Sequence, residues 1–244
     1  MHADLVITVV PDGPDVEGVV LGEDGVFSSA REGMLYADFS TVHPKVSLHL
    51  AEEGRKRGVR VLDACMMRSV PQAEQGTLGL MVGGAAEDLE ACRPVFETLA
   101  IDIVHCGPNG AGASMKVVNN MLAGVVMAAT LEAMVLGAKA GISTDTMLTV
   151  FGLSNAKNGS IDATIKPTVL TRAFQPAHFA LDLLHKDTRL ALELADEVGA
   201  AVPVAAVVQQ LRSAARAKGR GRWDSAAIAT IYEELADIEL HAGR

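Results

Sequence analysis

Apolar and polar positions follow two different rhythms along the chain, and the change comes at about residue 110. Before it, short β-rich runs at Leu5–Val10, Met34–Phe39, Arg60–Ala64, Leu78–Val82 and Ile101–His105 read as strands. Between them, Lys45–Arg57 and Glu87–Leu99 set apolar residues at helical spacing against charged faces and predict amphipathic helices. Pro11-Asp12-Gly13, Gly33, Pro44, Gly58 and Gly83-Gly84 punctuate these pieces. Strand and helix in turn predict an open, largely parallel sheet covered by helices. From Ser114 onward the spacing is helical: Lys116–Ala140, Thr144–Leu153, Ala180–Val198, Val204–Lys218 and Ser225–Leu240, with Gly141, Gly159, Gly199 and Gly219 where helix stops belong. The pattern predicts an α/β sheet domain over residues 1–110 and an all-helical domain over residues 111–244, joined through the helix that starts near Ser114. No repeat of solenoid period is present.

Composition narrows the classes. The 244 residues are 49% hydrophobic with a mean hydropathy of +0.25, enough to bury a core, and aromatics at 4% make that core aliphatic. The formal charge of −9 argues against nucleic acid as a ligand, which calls for a cationic surface that displaces counterions. Cys65, Cys92 and Cys106 are odd in number and contain no CxxC, so idle thiols in a reducing cytoplasm are expected rather than disulfides or a thiolate metal site. The N-terminus shows no signal-peptide pattern. The apolar run Val117–Ala138 is long enough for a membrane span, but Asn119, Asn120 and Glu132 interrupt it, so a helix buried by protein on all sides is expected and no membrane partner. The seven histidines form no HxH or HxxxH pair, and no metal is expected. No GxGxxG follows a strand; Gly107, Gly110 and Gly112 have the wrong spacing for a phosphate cradle.

The sharpest chemical signal is GAGASMKVVNN, Gly110 to Asn120. Lys116 and Asn120, four residues apart, project from one face of the first helical turns, and Gly110 and Gly112 permit a tight backbone entry. Spacing alone favours a solvated first-turn lysine and capping or turn asparagines. A lysine at the positive end of a helix is nevertheless unfavourable and asks for some compensating role. The same field, with partial burial, would lower its pKa toward the range useful to a general acid.

Four stretches, DFSTVHP (Asp38–Pro44), Leu62–Gly84 ending QGTLGLMVGG, GPNGAGASMKVVNN (Gly107–Asn120) and FALDLLHKDTRLALELA (Phe179–Ala195), resemble the β-hydroxyacid dehydrogenases, in order and over essentially the whole chain. That resemblance implies a Rossmann-like domain, here incomplete at its N-terminus, followed by a helical, 6-phosphogluconate dehydrogenase-like domain that makes a homodimer or homotetramer. It also implies NAD- or NADP-dependent hydride transfer between a small anionic 3-hydroxy acid and its semialdehyde. By position, Lys116 matches the catalytic lysine that protonates the carbonyl oxygen. Asn120 matches the substrate-orienting asparagine and Asn119 its neighbour. Val10 and Pro11 match the strand end passing the cofactor ribose, Thr41 the residue beside the nicotinamide, and Lys186 the lysine of a KD pair reaching the cofactor.

One departure is informative. Most of the family reads Pro-Val-Ser-Gly-Gly where this chain reads Cys65-Met66-Met67-Arg68-Ser69. An arginine there resembles the sulfolactaldehyde reductase branch, which implies that Arg68, with Ser69, meets the anionic tail of the substrate, while Met67 narrows the pocket. Without the resemblance Arg68 is equally a solvated charge after a strand. A non-catalytic dimeric relative that cannot hold a dinucleotide is the alternative, motivated by the absent glycine fingerprint. Imine reduction on the same scaffold is disfavoured, because that group tends to replace the lysine. Asp182 and Asp187 make no convincing acid/base pair, His185 is expected to be a packed or exposed ring, and the apolar positions of residues 191–211 read as helix packing and a subunit interface.

Overall fold

The computed structural model describes residues 3–243; His2, one of the histidines counted above, lies outside them. Two compact units divide between Asn119 and Asn120.

The first unit is built on five strands, β1 (Leu5–Thr8), β2 (Leu35–Asp38), β3 (Arg60–Met67), β4 (Leu78–Gly83) and β5 (Ala100–Gly107), which lie in chain order across one sheet. β1, β2 and β3 pair in parallel, β3 and β4 antiparallel, β4 and β5 in parallel. The crossovers carry α1 (Gly13–Leu21), α2 (Pro44–Lys56) and α4 (Ala86–Phe96), with the short α3 (Val70–Glu74) in the β3–β4 connection. Alternation along the strands sends their side chains to two cores. Ala37, Phe39, Leu62, Leu80 and Val82 pack with Leu89, Cys92 and Phe96 of α4, whereas Tyr36 and Val61 pack with Val16 and Val20 of α1 and Leu50 of α2.

All five predicted strands are present. The helix α1 is not in the sequence reading, because Pro11-Asp12-Gly13-Pro14 looks like a turn. In the structure, Asp12 caps the helix in a reciprocal box with Asp15, and Pro14 sits in the first turn where its missing N–H costs nothing.

The second unit is helical. It contains the continuation of α5 (Ala111–Lys139), α6 (Thr144–Leu153), a π-helical segment (Ile161–Val169), α7 (Leu181–Val198), α8 (Pro203–Ala217) and α9 (Ala229–Ala236), which follows a 3₁₀ turn at Ser225–Ile228. Met127, Leu131 and Met134 of α5 meet Ile165, Val169, Leu181, Leu184, Val208 and Ile228 in one aliphatic core. Predicted as one helix, Ser225–Leu240 is broken into these two pieces, the second ending at Asp237 in a left-handed conformation. The expectation that the apolar helix would be buried on all sides is corrected: within this chain 44% of the most apolar window of α5 is buried, and Met115, Val118, Leu122 and Leu136 are exposed. Asn120 in turn belongs to the buried face.

Arg212 of α8 is fully buried and donates through Nη1 to Thr188 Oγ1 at 2.7 Å, while its Nε and Nη2 have no hydrogen-bond partner among the described residues. Burial pushes its pKa down to about 10, so the group stays charged at neutral pH. A buried charge without a counter-charge is costly. Arg212→Met, which keeps the volume and removes the charge, should therefore match or exceed the wild-type denaturation midpoint; a loss above ~1 kcal/mol would show that the Thr188 bond outweighs desolvation.

Candidate active site

Because β1, β2 and β3 are parallel, their C-terminal ends open on one edge of the sheet, where α/β folds collect ligand-binding loops. Val10 and Pro11 follow β1, Thr41 follows β2, and Met67 to Ser69 close β3. A buried polar chain fixes the first two loops. Thr8 Oγ1 lies 2.5 Å from Tyr36 Oη and donates to Asp38 Oδ1 at 3.0 Å, Ser40 N donates to the same oxygen at 3.1 Å, and Val10 N donates to Ser40 Oγ at 2.9 Å. The backbone at Val10 and the turn leading to Thr41 are thus held by Asp38, which is buried to 2% exposure.

The first turns of α5 lie against β3 and β4 with backbone on backbone. A Cβ at Gly112 would collide with Asp63 O, sit 2.6 Å from Met81 O and 2.8 Å from Gly83 N. That close approach needs glycine at both 83 and 112. Asp63, buried in β3, accepts the amides of Gly110 at 2.8 Å and Ala113 at 2.9 Å. Burial raises its pKa, and those amides together with that of Gly112 oppose the rise. One turn further on, Lys116 Nζ donates to Met66 O at 2.8 Å, so the ammonium is directed at the end of β3. Asn120, the next residue on that face of α5, donates through Nδ2 to Asp187 Oδ2 at 2.7 Å. Asp187 is buried on α7, and Lys186 Nζ approaches its other oxygen at 3.2 Å. The donation to Asp187 fixes which end of the Asn120 carboxamide faces α7.

The three residues after Met66 sit differently from the reading of the sequence. Met67 packs over Gly79, beside the small sulfur-rich cluster of Cys65, Met81, Ala113 and Cys106. Ser69 opens α3 and spends its hydroxyl on Gln72 Oε1 at 3.1 Å. Arg68 takes a positive φ of 75°, a conformation that costs a side-chain-bearing residue about 1–2 kcal/mol. The guanidinium is folded back, with Nη1 donating to Thr77 O at 2.7 Å and Leu78 O at 2.8 Å, and Nη2 paired with Asp102.

Sequence reasoning missed Asp38, Asp63 and the pairing of Asp187 with Asn120. Their signal is an acidic residue within an apolar strand or on the inward stripe of a helix, where only a group with several hydrogen bonds is tolerated. Among the described residues no group of His, Cys, Asp and Glu could hold a metal ion.

Comparison with known proteins follows the division of the chain. Residues 1–107 match the profile of the NAD-binding domain of 6-phosphogluconate dehydrogenase, and residues 110–232 that of the NAD-binding region of NADP-dependent 3-hydroxyisobutyrate dehydrogenase. The chain is 34% identical to the 2-(hydroxymethyl)glutarate dehydrogenase of Eubacterium barkeri, an alignment covering 99% of this chain and 80% of that protein. It is 32% identical to the 3-sulfolactaldehyde reductase of Escherichia coli, covering 99% and 78%. Among solved structures, Mycobacterium tuberculosis 3-hydroxyisobutyrate dehydrogenase with L-serine superposes with a TM-score of 0.85 at 30% identity, covering 94% of this chain and 79% of that one.

Proposed function

As a member of the β-hydroxyacid dehydrogenase family, the chain uses NAD or NADP, and we propose that it interconverts a small anionic 3-hydroxy acid and its semialdehyde with Lys116 as general acid and base. The observation that carries this reading is the anchoring of Lys116 at the end of β3, on the edge where Val10, Pro11 and Thr41 also emerge. The residues present suit the nicotinamide half of such a cofactor: rigid loops after two parallel strands, with the Val10 backbone fixed by Ser40 and a hydroxyl at Thr41. A glycine-rich phosphate turn is not among the 244 residues.

The bound nicotinamide supplies or accepts hydride. Val10, Pro11 and Thr41 would position it, and Lys186 is proposed for the cofactor from the resemblance of its KD pair. In reduction, Lys116 Nζ exchanges its bond to Met66 O for one to the substrate oxygen, polarises the carbonyl and gives up a proton as negative charge develops there; oxidation runs the transfer in reverse. Asn120, with its carboxamide set by Asp187, holds the substrate against rotation, and Asn119 lines the same turn. Ser69 would serve the acid tail by exchanging its bonds to Gln72 Oε1, made by its amide and its hydroxyl, for bonds to the anion.

Arg68 was expected at that tail, yet its fork is engaged by Thr77, Leu78 and Asp102. Its role is therefore to hold the loop in its left-handed conformation. Arg68→Ala should raise KM for anionic and neutral aldehydes alike; a loss confined to anionic substrates would return the anion to Arg68.

Calorimetric titration with NADH and with NADPH, followed by turnover of three- to five-carbon hydroxy acids and semialdehydes, tests the assignment. Saturable binding of one nucleotide and cofactor-dependent turnover support it. Failure to bind either nucleotide would favour a dimeric relative without catalysis. A homodimer or homotetramer and a cytoplasmic setting complete the proposal; the exposed apolar positions of α5 and α8, such as Leu122 and Val207, are where subunits would meet.

A further inference from the structure

We propose that Asp63 is a positioning residue for Lys116, acting through the first turn of α5. The inference rests on the reading of Lys116 as the proton donor, and it answers the difficulty that a lysine meets at the positive end of a long helix. Asp63 is 2% exposed, yet its two carboxylate oxygens are taken by backbone donors of one turn: Oδ1 by Gly110 N at 2.8 Å and Oδ2 by Ala113 N at 2.9 Å. A carboxylate is acceptor-only, and it suits a cluster of amides pointing into it. Those amides belong to the end of α5 whose unpaired N–H groups carry its positive partial charge, so Asp63 supplies both their hydrogen-bond partners and a compensating negative charge.

The geometry closes on a single strand. Asp63 grips the helix at its start, and Met66, three residues along β3, accepts the Lys116 ammonium at 2.8 Å. Gly112 and Gly83 let the two backbones meet with no side chain between them. Helix start and lysine tip are therefore referenced to the same rigid strand, and a shift of the first turn would carry Lys116 with it. Ordinary capping needs only a serine or aspartate next to the helix in sequence. Here the cap comes from a central strand, which couples the helix to the sheet edge where Val10 and Thr41 lie.

Asp63→Asn tests this. The carboxamide keeps one accepting oxygen and turns an NH₂ group toward the remaining amide, so at least one of the Gly110 and Ala113 donors loses its partner. Displacement of a reacting group by about 1 Å costs about a hundredfold, so kcat should fall to that extent while KM for the nucleotide stays within about twofold. Ser114→Ala removes the Ser114 Oγ bond to Gly110 O in the same turn without touching Asp63, and should leave kcat within about threefold.

A second measurement does not depend on turnover. Competitive acetylation of the whole chain, read by mass spectrometry against Lys139 and Lys218 as internal standards, should show Lys116 labelled several-fold faster in Asp63→Asn than in wild type, because the ammonium is released from Met66 O. If Asp63→Asn does not fold, Asp63→Ser, which presents one hydroxyl oxygen and no NH₂, takes its place. Unchanged labelling, or an equal fall in kcat for Ser114→Ala, overturns the proposal. A wild-type chain without turnover would defeat the reading of Lys116, while the labelling result would still decide whether Asp63 holds it.

Discussion

Replacing Lys116 by alanine is expected to lower kcat by about a thousandfold and to leave the denaturation midpoint within about 0.5 kcal/mol of wild type. The first expectation follows from the loss of both the proton and the charge that meets the developing oxyanion, contributions made mainly in the transition state, so kcat should carry the loss more than KM. The second follows from placement. Lys116 is partly exposed, and Met66 O at the end of β3 can turn to water once the ammonium is gone. Lys116→Arg sharpens the test. It keeps the charge but holds its proton far above neutral pH, so it should restore binding of an anionic substrate without restoring turnover. Steady-state rates with denaturation curves for the three proteins check both points, and an alanine variant with near-wild-type kcat would remove the mechanism.

Gly112→Ala is expected to be the most damaging single methyl group in the first unit, costing about 3 kcal/mol or more. The added carbon would meet Asp63 O, Met81 O and Gly83 N, all backbone atoms of two central strands or their ends, none of which can rotate away. The helix start must lift from the sheet, breaking the Asp63 bonds to Gly110 and Ala113. Gly18→Ala gives the contrast. It lies in α1 with nothing within reach of a new Cβ, and should be neutral or slightly stabilising. Urea denaturation of both variants checks the difference, and equal stabilities would mean that the approach of α5 to β3 and β4 is looser than described.

Strands were legible in the sequence because short, apolar, β-rich runs end at glycine punctuation, as at Leu78–Gly83 before Gly84. The amphipathic α7 was legible from its stripe of Leu181, Leu184, Leu190 and Ala191. The helix α1 was not: its glycines and proline argue for a turn, and the favourable cap by Asp12 is visible only once the helix exists. Pairing direction was equally hidden, since nothing local makes β4 antiparallel to β3 while β5 is parallel to β4. In the site, Lys116 and Asn120 could be placed by helical spacing. Arg68 could not, because its direction is set by a positive φ and by Asp102, thirty-four positions away. A charged side chain after a strand advertises its chemistry; only the backbone conformation shows where that chemistry points.

The most direct measurement is transfer of deuterium from nicotinamide cofactor labelled at C4 to the carbonyl carbon of a three- to five-carbon semialdehyde carrying a carboxylate or sulfonate, read by mass spectrometry of the hydroxy acid formed. Transfer of the label by the wild-type chain, lost in Lys116→Ala, is the predicted result. Absence of label in the product, with the nucleotide at saturating concentration and the protein folded, would contradict it.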